Sequence, residues 1–200
     1  MRNFFWSLLF TIILLVSFAQ IAAPILQGKS VSHVLPVHRT LFVERNIPDD
    51  EMLYILQAAM EWNQATDGQV VFDIQRLPNQ KAVLKDAIVI INVNPDYPDI
   101  ILLDQSKGYS TLGFCNSDST IDYIALVNSR LDEDTFTPVM LHELGHALGL
   151  EHVKGVEGIG TLMYPTIDAG SKHITENDLM HFCKLYNCDS SKFHGISEIQ

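Results

Sequence analysis

The stretch from His142 to His152 (HELGHALGLEH) constrains this chain more than any other part of it. Residues four apart on an α-helix lie one turn from each other on the same face, so His142 and His146 can hold one metal ion together. Glu143 points to the neighbouring strip of that helix, where a carboxylate can reach a water on the metal without ligating it. Gly149 can take the positive φ that ends a helix and turns the chain, and the turn brings His152 back as a third ligand. Three protein ligands with an open fourth position describe a catalytic rather than a structural zinc. The His-Glu-x-x-His fragment alone arises by chance on ordinary amphipathic helices. The added glycine and third histidine make chance a poor account of the whole stretch.

Around this stretch there is room for one domain with short appendages, since the chain has 200 residues. Acidic residues outnumber basic ones by 24 to 13, for a formal net charge of −11. Nucleic acid is therefore excluded as a partner, because neutralising phosphates needs a basic stripe. An acidic surface serves solubility, and it leaves a mild preference for cationic partners open.

The N-terminus reads separately. After Arg2 no charge appears until Lys29, and Phe4 to Ala23 (FFWSLLFTIILLVSFAQIAA) is almost wholly apolar. A basic start, an apolar run and small residues make a secretory signal, with Ser17-Phe18-Ala19 as the small-x-small site before Gln20. The run is also long enough, at roughly 20 residues, to stay in a bilayer as an anchor. Either way the remainder is expected outside the cytoplasm, secreted or extracytoplasmic and membrane-anchored. Cys183 and Cys188 flank the end of a helical pattern (HFCKLYNC), where a local disulfide can form, leaving Cys115 free. Pairing of Cys115 with either of the others is equally compatible with the count.

From Arg39 to Glu44 the residues are β-type and stop at Asn46-Ile47-Pro48, which predicts a first strand. A helix follows, capped by Asp49 or Asp50 and running to about Thr66, because Met52, Leu53, Ile55, Leu56, Ala59, Met60 and Trp62 recur at three- and four-residue spacing. Val70 to Ile74 and Ala87 to Val93 are rich in β-branched residues and predict interior strands with both faces covered. Ile100 to Leu103 reads as a short extra strand, Gly108 to Thr120 as an irregular loop, and Ile121 to Asn128 as a strand. Asp132-Glu133-Asp134 is expected near the N-terminus of the metal-binding helix, where the helix dipole favours negative charge. Pro138 marks a helix start close by. Ile174 to Asn187 carries a last helix, with Thr175 as N-cap and Asp178 three residues on.

The eleven-residue stretch matches at every fixed position the H-E-x-x-H-x-x-G-x-x-H motif of the metzincin zinc endopeptidases. Leu162-Met163-Tyr164-Pro165 resembles the methionine turn of their matrixin branch. The resemblance implies an α+β metzincin zincin fold: a twisted mixed sheet of about five strands, a long backing helix, an active-site helix and a C-terminal helix. It implies one catalytic zinc on His142, His146 and His152, and Glu143 as the base. It also implies Met163 as an apolar floor beneath the metal, and Tyr164, Pro165 and Thr166 as the wall of the pocket for the side chain after the scissile bond. The boundaries that follow are 1–23 signal peptide or anchor, 24–36 linker, 37–189 catalytic domain and 190–200 tail.

The chain departs from the family in having no Pro-Arg-Cys-Gly motif and no room for a prodomain before the first strand, so its control is expected to differ. Nor does it carry the histidine- and aspartate-rich loop that holds a second zinc and calcium in vertebrate matrixins; neither ion is expected. His33, His38, His173, His181 and His194 are scattered and are expected at the surface or satisfied by neighbours. Asn177 stands where matrixins often have an aspartate beside Asp178. The function so implied is a monomeric zinc endopeptidase that hydrolyses protein or peptide substrates by Glu-assisted attack of a zinc-bound water, with the peptide expected to pair along Ile121 to Asn128. The alternative is a membrane-anchored binding protein that keeps a protease scaffold with little activity. Against it, a binding module has no need of a base beside its metal.

Overall fold

Residues 34–78, 87–108, 110–117 and 122–193 are described by a computed structural model, with the backbone alone at Asp99. The signal or anchor at 1–23, most of the linker, His33, His194 and the tail from residue 194 lie outside them.

Five strands form one mixed sheet: β1 (Val37–Val43), β2 (Val70–Arg76), β3 (Ala87–Asn92), β4 (Gly113–Ser117) and β5 (Asp122–Leu126). Their order is β2-β1-β3-β5-β4. The β1/β2, β1/β3 and β3/β5 pairs are parallel, and β4 runs antiparallel to β5 with Gly113 opposite Leu126. In β3 the run Ala87 to Ile90 is continuously buried, as an inner strand requires. β2 corrects the expectation of two covered faces. It is an edge strand, and burial falls on Val70 and Phe72 alone.

Two further corrections concern the far end of the sheet. Gly113 to Ser117, expected as loop, is the edge strand, held by its ladder to β5 despite a sequence (GFCNS) poor in β-formers. Consequently β5, the strand expected to receive a peptide, is enclosed between β3 and β4, and the available edge belongs to β4.

Four α-helices accompany this sheet. In α1 (Asp49–Ala65), Ile55, Ala58, Ala59, Trp62 and Ala65 form one buried face. Pro48, rather than an aspartate, occupies the N-cap; Asp49, Asp50 and Glu51 fill the first turn, where the dipole favours them. Ile100 to Leu103 is not a strand but the middle of α2 (Pro98–Lys107). Pro98 starts this helix, and Gly108 ends it at φ 75°, in the left-handed region. α3 (Glu133–Ala147) begins five residues before Pro138, with Asp132 and Thr135 forming a reciprocal capping box. Pro138 therefore sits inside the helix. Finally, α4 (Glu176–Tyr186) starts with the capping box of Thr175 and Asp178.

The core lies between sheet and helices, and Trp62 sits at its centre without solvent exposure. Its indole N–H donates to the Leu141 carbonyl at 3.0 Å, tying α1 to the turn of α3 before His142. On α4, the Phe182 ring lies 6.2 Å from that of Trp62. Trp62 thus ties α1 to the metal-binding helix on one side and to α4 on the other.

Candidate metal centre and active-site cleft

His142 and His146 project from the C-terminal half of α3 one turn apart. Leu148 and Gly149 then end the helix. Gly149 takes φ 90°, and the Leu150 N–H turns back to the Gly145 carbonyl at 3.0 Å, a helix-terminating reversal that needs a residue without a side-chain penalty. This reversal returns His152 to the face of α3 that carries the other two histidines. The Nε2 atoms of His142 and His152 are 3.1 Å apart, and those of His146 and His152 3.2 Å.

These distances test whether the three residues suit a metal. The Nδ1 of His142 lies 2.7 Å from the Leu162 carbonyl and that of His146 lies 2.8 Å from the Leu150 carbonyl. A carbonyl can only accept, so each Nδ1 bears the proton and each Nε2 presents a lone pair. Both of these Nε2 atoms lie within 3.2 Å of the His152 Nε2, so three ring nitrogens converge on one point that a cation can occupy. The donor set therefore fits a divalent ion that favours imidazole, with the backbone carbonyls orienting the rings from behind. Among the described residues it is the one group of three or more potential ligands from His, Cys, Asp and Glu.

The metal-free electrostatics agree. Burial pulls the His142 imidazole down to about 3 and His152 down to about 4, with repulsion from His146 next in size for both. His146 is lowered chiefly by burial as well. All three are held neutral, the form that binds metal.

Glu143 is only 4% exposed, and its Oε2 has no hydrogen-bond partner. Burial pushes its carboxyl up to about 8, while the charge of Lys107 and the backbone N–H of Cys115 act in the opposite direction. Gly113, at the start of β4, makes the close approach possible: a Cβ there would lie 3.2 Å from both Cγ and Oε1 of Glu143 and 3.1 Å from Val139. The base is thus trapped between α3 and the edge strand.

Met163 is fully buried, with its sulfur against Gly145 of α3. Asp178, also fully buried, fixes the turn that carries it: its carboxylate accepts the Leu162 and Met163 N–H groups at 2.9 and 3.1 Å while capping α4 through Thr175. The same turn receives the Val153 N–H at the Met163 carbonyl, 2.9 Å away, so the strand leaving His152 is bonded to it. Gly158 lets this loop close, since a Cβ there would strike the Val153 carbonyl oxygen at 2.1 Å.

Tyr164, Pro165 and Thr166 line a cavity of about 680 Å³ shared with Glu143 and the three histidines, opposite a wall from Leu103, Lys107 and Ser110 to Cys115. Cys183 and Cys188 form a disulfide at the end of α4, outside that lining, and Cys115 is a free thiol. Of the scattered histidines, His173 bonds the buried Glu61 at 3.2 Å. Sequence reasoning passed over Gly113 and Lys107. Gly113 carries no local signal, because it acquires its place only when β4 pairs with β5 and comes against Glu143 of α3.

A family model described as Matrixin matches residues 43–187. No curated protein sequence matches the chain significantly. Among solved structures, similarity is found to an archaemetzincin from Methanopyrus kandleri, at 12% identity over 82% of this chain and 99% of that one, with a TM-score of 0.47. High choriolytic enzyme 1, a hatching-enzyme zinc protease from the medaka fish Oryzias latipes, is similar at 14% identity over 80% and 94% of the two chains, with a TM-score of 0.45.

Proposed function

Because this chain belongs to the matrixin family and is a zinc metalloendopeptidase, we propose that His142, His146 and His152 hold its one catalytic zinc and that Glu143 is its general base. The convergence of three imidazole Nε2 atoms beside an orphaned, buried carboxylate carries this reading. Zinc in such a site supplies Lewis-acid chemistry, acidifying water and polarising a carbonyl. Glu143 takes the proton of the attacking water and delivers it to the leaving amine. The partnerless Oε2 supports the role, because a buried carboxylate oxygen without a donor is costly unless the reaction uses it.

The substrate is a peptide lying along the outer edge of β4, antiparallel to it, with main-chain hydrogen bonds supplying affinity. Gly113 then places the reacting bond beside Glu143. Tyr164, Pro165 and Thr166 receive the side chain that follows the scissile bond, and Met163 forms the apolar floor under the histidines. An extracytoplasmic location is part of the proposal, supported by the apolar run from Phe4 to Ala23 and by the Cys183 to Cys188 disulfide. The mature N-terminus, read by mass spectrometry, separates a cleaved signal from an anchor.

The decisive experiment is Glu143→Ala. The variant is expected to bind one zinc per chain and to lose cleavage of denatured protein by about 100-fold or more. Cleavage at the native rate would remove Glu143 from the mechanism, and an inactive wild-type protein with zinc bound would favour the binding-protein alternative.

A further inference from the structure

We propose that Asp104 and Arg130 are positioning residues that extend the substrate-binding edge past the end of its sheet ladder, so that the enzyme grips the substrate residues following the scissile bond. This assignment rests on the peptidase reading above and deepens it by saying how far along the substrate recognition extends.

The ladder between β4 and β5 stops early on one side. Beyond Gly113 opposite Leu126, its last bond runs from the Val127 N–H to the Leu112 carbonyl at 2.9 Å. β5 then gives way to the single turn Asn128–Arg130, where the Arg130 N–H bonds the Val127 carbonyl at 2.8 Å. Among the described residues no strand pairs with Thr111 or Ser110, yet both line the cavity with Leu112 and Gly113. Backbone groups that leave a ladder must find other partners.

Thr111 finds them in two charged side chains. Asp104, near the end of α2, accepts the Thr111 N–H at 2.6 Å. Arg130 donates from Nη1 to the Thr111 carbonyl at 2.8 Å, and its Nη2 lies 2.9 Å from the Asp104 carboxylate. Both main-chain groups of Thr111 are therefore bonded as in a strand pair, with side chains standing in for the missing strand. The circuit is sheltered, since Thr111 is only 2% exposed, and charge-assisted bonds of this kind are stronger than neutral ones. Burial opposes the charge on Asp104, but the bonds from Arg130 and Thr111 leave its carboxyl below the ordinary range, so the pair is ionised. Asp104 belongs to α2 and Arg130 follows β5, so the same three residues fasten helix to sheet beside the cleft.

Strand polarity says which part of the substrate benefits. A peptide antiparallel to β4, with its reacting bond beside Gly113, carries its residues after that bond past Leu112, Thr111 and Ser110. This is the stretch of wall that Asp104 and Arg130 hold. A wall ordered in advance spares the substrate the cost of ordering it, and each residue added on that side can then contribute a main-chain bond.

The test compares two peptides identical up to the scissile bond, one ending a single residue after it and the other four residues after it, both amidated. The readout is the ratio of kcat/KM for the long peptide to that for the short one, measured in wild type, Arg130→Met, Asp104→Ala, the double variant and Arg130→Lys. A general loss of folded protein cancels from this ratio. Wild type is expected to give about fivefold or more. Arg130→Met and Asp104→Ala should each bring it within about twofold of unity, chiefly by raising KM for the long peptide, and the double variant should go no lower because the two act as one unit. Arg130→Lys keeps the charge beside Asp104 and loses the fork, so it should fall between; it supplies the same comparison if Arg130→Met does not fold. A wild-type ratio near unity, or the wild-type ratio retained in the variants while both peptides slow equally, would overturn the proposal. Failure of the wild type to cleave either peptide with zinc present would instead overturn the peptidase reading, and this assignment with it.

Discussion

Gly145 and Met163 touch so closely that a Cβ on the glycine would lie 2.5 Å from the methionine sulfur. The α3 backbone between the two helical ligands rests directly on the Met163 side chain, with Trp62 behind it at 3.4 Å from the same point. Gly145→Ala must displace the sulfur into a packed core. We expect a loss of about 1–3 kcal/mol in urea unfolding and a weaker zinc affinity. Gly160→Ala, at φ 80° with open space around it, is the comparison: backbone strain costs about 1 kcal/mol there and zinc affinity holds.

Asp178 gathers two N–H groups of the methionine turn and both the N–H and hydroxyl of Thr175 onto one buried carboxylate. Asp178→Ala strands those donors away from water. A cost of about 3 kcal/mol is expected, together with a raised KM as the pocket wall after Met163 loosens. Thermal melting and peptide kinetics on the same preparation check both.

The metal-free protein should be most stable near pH 6.5. Its three ligand histidines have folded values below their ordinary 6.5, so the unfolded chain binds more protons and stability falls as pH drops from 6.5 toward the folded values of about 3 for His142 and about 4 for His152. Glu143 has the opposite sign. Its folded value of about 8 lies above the ordinary 4.5, so its contribution is complete below 4.5 and is lost as pH rises through 8. Between 4.5 and 6.5 His142 and His152 already outweigh the one carboxyl, and from 6.5 to 8 the carboxyl acts alone. Urea melts of chelator-treated protein across this range should show the maximum, and Glu143→Gln should flatten its alkaline side.

The Cys183 to Cys188 disulfide closes a short loop around the left-handed Asn187, where the Cys188 N–H already bonds the Cys183 carbonyl at 3.0 Å. Replacing both cysteines by serine should cost about 2 kcal/mol in urea unfolding. Peptide cleavage at 25 °C should be unaltered, because the loop lies outside the cavity lining.

What could be read from the chain follows from how local each signal is. His142, Glu143, His146, Gly149 and His152 are set by helix period and one glycine, and Thr175 with Asp178 by a three-residue cap, so their geometry is visible in letters alone. Ile100 to Leu103 is ambiguous because a short apolar run has no period. The better signals were Pro98 and Gly108, a helix start and stop ten residues apart. Pro138 drew the start of α3 too late, although Asp132 and Thr135 spelled the cap. For β4 there was no local signal at all. Gly113, Asn116 and Ser117 are strand residues only because β5 offers them a ladder, and with that strand the whole upper wall of the cleft stayed hidden.

Two of the three ligands ride one rigid rod, while His152 arrives on a loop that is itself stitched to the methionine turn. An ion held by all three is therefore a clasp between helix and loop, and the segment it fastens is the one that continues into the wall facing the substrate. Grip on the ion and grip on the peptide then become one thermodynamic quantity. A bound substrate must tighten the hold on zinc by the same factor that zinc tightens the hold on substrate. Scarcity of metal would reach this enzyme as a change in what it recognises as well as in how fast it cuts.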